Sequence, residues 1–230
     1  MKFFCCILIL SCLGVCTYAQ RTADGAWIKK QGDDQTVLII NPHYFTVTTF
    51  DTKNRKILQS FGGTCIHDEN KLEALIDFST TGIKVNEKIL FTLNIGDNAL
   101  SSNITGRRIT YDRMDYDSGV VNGTWIISSK EENGVVQTIT SDTETIKILS
   151  ATRFQWVTIN TATGTIINTV CGSYIFDNGL YTEYTDFNSI DITRVGRSTN
   201  FRGYLNDNTW TNSGKNINGG IMNEIWTRVP

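Results

Sequence analysis

Tyr181 and Glu183 stand two residues apart in Tyr181-Thr182-Glu183-Tyr184-Thr185-Asp186-Phe187, a spacing that puts both on one face of a β-strand. A phenol and a carboxylate side by side could hold a small molecule by directed hydrogen bonds or exchange a proton with it. An ionised carboxylate facing an apolar interior is costly, so Glu183 must be paired, hydrated or protonated. Two arrangements satisfy it. In one, Arg228 neutralises Glu183, and Tyr181, Glu224 and Arg228 complete a structural polar plug. In the other, Trp156, Tyr174, Tyr181, Glu183, Trp226 and Arg228 line a wet cavity around a ligand. An enzymatic version of the second makes Glu183 the general acid or base of an isomerase or lyase, with Tyr181 or Tyr174 beside it.

The inward direction follows from an internal repeat. Two stretches match when shifted by about 109 positions. Gly25 and Trp27 recur as Gly123 and Trp125, Phe45 as Phe154, and Gly63 as Gly172. Asp77-Phe78 recurs as Asp186-Phe187, and Tyr111-Asp112-Arg113 as Trp226-Thr227-Arg228. In the first copy Leu72, Ala74, Ile76 and Phe78 form the apolar face, and the matching residues are Tyr181, Glu183, Thr185 and Phe187. Three apolar positions have thus become hydrogen-bonding ones. The same transfer places Phe45, Val47, Phe61, Cys65 and His67 inside the first copy and Phe154, Trp156, Val170, Tyr174 and Phe176 inside the second. Glu224, Trp226 and Arg228 share one face, and Arg153 and Gln155 are expected on the surface.

Turn residues break the chain every eight to twelve positions or so, and its two prolines are Pro42 and Pro230, a pattern of antiparallel hairpins. Strands are predicted at Ala26 to Lys30, Thr36 to Ile40, Tyr44 to Phe50, Ile57 to Ile66, Leu72 to Phe78, Lys88 to Ile95, near Ala99, and Arg108 to Arg113. The second copy repeats the series with an inserted hairpin at 130–141. About eight strands per copy can close into an up-and-down barrel that leaves no sheet edge. The expected fold is all-β: two tandem small antiparallel barrels at 24–114 and 123–230, joined by a linker at 115–122.

Residues 1–19 read as a signal peptide, with Lys2 preceding the apolar run Phe3 to Leu13 and small Ala19 at the cleavage position. Leu13-Gly14-Val15-Cys16 offers a competing lipid-anchored form, opposed by the bulk of Val15. Of six cysteines, removal of the leader leaves Cys65 and Cys171, assigned to opposite faces, so no disulfide framework is expected. A net charge of -2 with scattered signs suggests no nucleic-acid partner, and no later segment is apolar enough for a membrane span. His43 follows a proline in a turn, and His67 near a strand end lacks a second ligand set, so no metal or other cofactor is expected.

Gly25-Ala26-Trp27 with Arg113, and Gly123-Thr124-Trp125 with Arg228, resemble the calycin signature. The second copy is also similar to a group of secreted bacterial lipocalin-like proteins, through Phe154-Gln155-Trp156, Gly172-Ser173-Tyr174, Tyr181-Thr182-Glu183 and Glu224 to Arg228. That resemblance implies lipocalin-like barrels, each closed at one end by an arginine packed over the opening tryptophan. It also implies a secreted or periplasmic protein that binds a small hydrophobic or aromatic molecule, here in the second barrel. Filled barrels would instead suit a protein-interaction module.

Overall fold

Strands alternating between apolar and polar residues, punctuated by turns that need positive φ, build two barrels in the computed structural model. It describes residues 22–116, 119–215 and 219–230. The expected signal peptide and its cysteines lie outside the described residues. The first eight strands are β1 (Gly25–Gln31), β2 (Asp34–Asn41), β3 (Tyr44–Asp51), β4 (Lys56–His67), β5 (Lys71–Ser79), β6 (Lys88–Ile95), β7 (Ala99–Ser102) and β8 (Ile109–Arg113). They pair in chain order, and β8 returns to β1 to close barrel 1. Barrel 2 comprises β9 (Gly123–Glu132), β11 (Thr143–Leu149), β12 (Arg153–Asn160), β13 (Ile166–Asp177), β14 (Leu180–Asn188), β15 (Ser198–Asn206), β16 (Thr209–Lys215) and β17 (Ile221–Arg228). It closes where β17 meets β9. The inserted hairpin is the extension of β9 together with the short β10 (Val135–Gln137), turning at Asn133-Gly134, where both residues have positive φ. A 3-10 turn at Ile192–Arg194 is the one helical element among the described residues. No helix there is long and apolar enough to cross a membrane.

The opening glycine–tryptophan motif closes each barrel at one end. Trp27 and Trp125 are fully buried, and their indole N–H groups donate to the carbonyls of Ala23 and Val121. The Arg113 guanidinium lies 3.8 Å above the Trp27 ring, and that of Arg228 lies 4.1 Å above Trp125. Each cation–π contact contributes about 0.5–2 kcal/mol. Gly123 has φ +112, and a Cβ there would lie 2.6 Å from Arg228 Nη1, so the glycine admits the arginine.

The recurring Gly63 and Asp77-Phe78 have a joint explanation. Gly62 pairs with Phe78 but Gly63 pairs with Ile76, leaving Asp77 as the extra residue of a β-bulge. The second barrel repeats this, with Cys171 opposite Phe187, Gly172 opposite Thr185, and Asp186 bulged. Only glycine fits opposite the bulge, because a Cβ on Gly63 would lie 2.0 Å from the Leu75 carbonyl oxygen and one on Gly172 1.9 Å from that of Tyr184. The bulge also inverts the face of every residue after it. Phe78 and Phe187, expected inside their barrels, therefore point outward into the seam between them.

That seam is a core in its own right. Val37, Ile39, Phe50 and Phe78 from barrel 1 meet Ile146, Ile148, Val157, Ile159 and Phe187 from barrel 2, and Phe50 stacks on Phe187 with centroids 5.6 Å apart. Thr46 and Gln155, repeat equivalents, touch each other: the Thr46 hydroxyl donates to Gln155 Oε1 at 2.6 Å, so the barrels dock in a nearly two-fold manner. Thr48 donates to the same oxygen, and Gln155 Nε2 donates to Ser60 and Thr169. Gln155 is 2% exposed and Arg153 7%, so the expectation that they lie on the surface is corrected. Both face out of barrel 2; barrel 1 covers Gln155, and Arg153 pairs with the bulged Asp186. The linker is pinned by Asp115, which accepts from the Ala26 amide through Oδ1 and from Ser150 and Thr152 through Oδ2.

Gly63→Ala should lower unfolding free energy by about 3 kcal/mol through overpacking against the bulge. Urea denaturation monitored by circular dichroism would show a reduced midpoint with unchanged strand content, and an unchanged midpoint would refute the bulge geometry.

Candidate functional site

Barrel 2 differs from barrel 1 mainly in what its strands send inward. On β2, Leu38 sits between Trp27 and Val47; on β11, Lys147 sits between Trp125 and Trp156. A buried leucine has thus become a lysine at the same register. On the facing wall Leu72 and Ala74 have become Tyr181 and Glu183.

These changes meet. Lys147 Nζ lies 2.9 Å from Glu183 Oε1, with both side chains buried, and the Tyr181 hydroxyl donates to the same oxygen at 2.9 Å. The ammonium also stands 4.5 Å from the Trp226 ring, 5.1 Å from Trp210 and 5.2 Å from Tyr181. Burial, reinforced by the neighbouring Glu183 charge, pushes the Tyr181 hydroxyl well above its ordinary pKa, so it stays a donor. The partner of Glu183 is therefore Lys147, which corrects the expected pairing with Arg228. Arg228 ends β17 beside Trp125, where its Nη1 donates to the Asn122 carbonyl at 2.6 Å. A side chain held at the closed end cannot reach the mid-barrel carboxylate. Lys147 is legible by the same repeat comparison that singles out Glu183, since it replaces Leu38.

Above this pair, toward the end of the barrel opposite Trp125, lies a cavity of ≈320 Å³. Lys147, Trp156, Glu183, Glu224 and Trp226 line it with Val170, Phe201 and Met222. Of the expected ligand residues, Trp156, Glu183 and Trp226 reach it. Tyr174 and Tyr181 lie beneath: Tyr174 donates to the Ser150 carbonyl at 2.6 Å, and Tyr181 packs edge-on against Trp210 with centroids 4.8 Å apart. Both occupy the β13–β14 hairpin end, which is the closed end of the barrel. Arg228 is likewise outside the cavity.

Glu224 faces the cavity with its carboxylate accepting from Trp226 Nε1 at 3.1 Å. Burial holds it above the ordinary carboxylate range, outweighing the attraction of Lys147, and the Glu183 charge adds to the shift. Across the β16–β17 ladder from Glu224, Asn212 is 1% exposed, and among the described residues neither its Oδ1 nor its Nδ2 has a hydrogen-bond partner.

Barrel 1 has no counterpart. Phe45, Phe61 and Phe91 pack mutually in its interior with centroids 6.0–6.4 Å apart, and Ile83, Ile89 and Ile109 press on that cluster. Its mouth holds a depression of ≈360 Å³ over Phe61, Phe91 and Ile104, lined by no ionisable side chain. A broader groove of ≈720 Å³ runs outside barrel 1 past Ile66, Leu75 and Leu90. It is open and shows no convergence of buried polar groups. His67 Nε2 lies 2.8 Å from Asp24 Oδ1, and no group of three or more metal-binding side chains occurs among the described residues. Cys65 faces into barrel 1 and Cys171 into the seam, both free, with thiols pushed up to about 12 by burial. Such thiols are unreactive near neutrality.

No family model and no curated protein matches the chain. Among solved structures, the Helicobacter pylori beta clamp in complex with carprofen is similar at a TM-score of 0.16 and 6% sequence identity. The alignment covers 88% of this chain and 55% of the clamp chain, so the chain spans about half the length of that protein.

Lys147→Leu alone should destabilise the protein by about 3–5 kcal/mol, because Glu183 would be left charged and unpaired. The double variant Lys147→Leu/Glu183→Ala, which restores the residues of barrel 1, should recover much of that loss in urea unfolding. A double variant as unstable as the single would show that the pair is not what costs.

Glu224 also sets a pH dependence. Its folded pKa is raised, so its contribution favours the folded state below the ordinary carboxylate pKa and is lost as pH rises through the folded value. Glu224→Gln should flatten the decline of stability above the carboxylate range, measured as denaturation midpoint against pH.

Proposed function

We propose that the protein is a secreted, lipocalin-like binder that holds a small, largely aromatic molecule in barrel 2, with barrel 1 serving as a packed scaffold. The observation that carries this reading is the ≈320 Å³ cavity, whose wall combines Trp156, Trp226 and Met222 with the buried Lys147–Glu183 pair. Small-ligand sites have this make-up: apolar walls for contact area and a few fixed polar groups for orientation. The contrast inside one chain supports it further. Two barrels with the same bulges and the same closing arginines differ in what lines their open ends, phenylalanines and no ionisable group in barrel 1, the Lys147–Glu183 pair and Glu224 in barrel 2. Maintaining a buried ion pair gives weak stability, and its retention is understandable where it meets a ligand. The leader-like segment at 1–19 supports export, and the Trp–Arg closures at both barrel ends support the calycin resemblance.

Native mass spectrometry of protein purified from its own source should show a small molecule bound in a one-to-one ratio. Trp156→Ala should weaken retention of that molecule about tenfold or more through lost contact area, whereas Val47→Ala at the matching position in barrel 1 should leave it unchanged. Glu183→Gln made together with Lys147→Met, so that no buried ammonium is left without a counter-charge, separates binder from enzyme. A binder keeps most of its affinity, while turnover by an acid–base catalyst would fall roughly 10²-fold or more. Equal sensitivity of the two barrels to these changes would refute the assignment.

A further inference from the structure

The carboxylates that line the cavity are not equally paired. Glu183 and Glu224 both face Lys147, whose ammonium is committed to Glu183 at 2.9 Å. Among the described residues Glu224 forms no salt bridge, and its hydrogen-bond donor is the uncharged Trp226 indole. Lys130 stands across the β9–β17 ladder from Glu224, and it and the cations nearer the rim are otherwise engaged or exposed. Lys130 pairs with Glu132 at 2.9 Å, Arg194 donates to the Thr199 hydroxyl at 2.8 Å, and Lys215 is exposed. Of the three lining carboxylates, Glu132, Glu183 and Glu224, the last is therefore the one with no cation paired to it among the described residues, in surroundings where a positive charge is already stabilised by aromatic faces.

We infer that the molecule held in barrel 2 is an aromatic or apolar amine whose ammonium docks against Glu224 while its body lies along Trp156 and Trp226. This rests on the ligand-binding reading above and names the class of ligand. Two further features agree with it. Burial raises the pKa of Glu224 despite the attraction of Lys147 and Lys130, and an ammonium docked against the carboxylate would oppose that shift. Barrel 1 has Tyr111 where barrel 2 has Trp226, and its mouth depression is lined by no ionisable group, so the feature is particular to barrel 2.

Three probes with one benzene ring and different charge test the inference: 2-phenylethylamine, phenylacetate and 2-phenylethanol, each titrated calorimetrically into the intact protein at neutral pH. The amine should bind about tenfold more tightly than the alcohol, and phenylacetate more weakly than either. Glu224→Gln, which keeps the side-chain shape, should bring the amine to within about twofold of the alcohol. Phenylacetate binding as tightly as the amine, or an amine preference that survives Glu224→Gln, would overturn the inference while leaving a binding cavity in place. No measurable binding by any of the three would overturn the binding reading itself, and the amine assignment with it.

Discussion

A strand that is apolar on both faces cannot form an isolated barrel in water, because closing the barrel hides one face and exposes the other. Strands β2 and β3 carry Val37, Ile39 and Phe50 outward as well as Leu38, Ile40 and Val47 inward. Burying that second face against another barrel is the constraint on which the rest of the molecule depends. It explains why two barrels occur as one body and why Gln155 is polar yet covered. It also accounts for Asp115, which ties the chain before β9 to the first strand of barrel 1 and to the β11–β12 turn of barrel 2. The polar centre of the seam, where Thr46, Thr48, Ser60 and Thr169 surround the Gln155 amide, satisfies that amide fully. Misaligned docking would leave it buried without partners, so it acts as a register mark between the barrels.

The two bulges serve the same seam. By inserting Asp77 and Asp186 they turn Phe78 and Phe187 from the barrel interiors to the interface, where each adds a large apolar surface. The cost is a close backbone approach that only Gly63 and Gly172 tolerate. What looked in the repeat like two unrelated matches, a glycine and an Asp-Phe pair, is one device seen from its two strands.

With the outside of each barrel committed to docking and closure, the interiors were free to diverge. Barrel 1 filled its interior with aromatic rings. Barrel 2 took Lys147, Glu183 and Glu224 in place of apolar packing and keeps an opening above them. Tyr181 links the two regimes, packing on Trp210 below while its hydroxyl meets the ion pair above. The aromatic stack Trp125–Trp210–Tyr181 thus forms a rigid floor under a charged site, which is how a barrel can hold fixed polar groups without softening.

Strand number, barrel closure and the Trp–Arg contacts were legible in the chain, because hydrophobic alternation, turn residues and an internal repeat are local or pairwise signals. The repeat also exposed Glu183 by setting it against Ala74. Parity counting failed at Phe78 and Phe187, since a bulge is invisible to a rule that assumes strict alternation. It failed differently at Gln155: its outward direction was right, but burial there depends on a second barrel that no single strand records. The partner of Glu183 was decided by position along the barrel axis. Arg228 had the right charge on the right face but at the wrong height, and Lys147, nearly forty residues away in the chain, lies on a wall that only the closed barrel brings opposite.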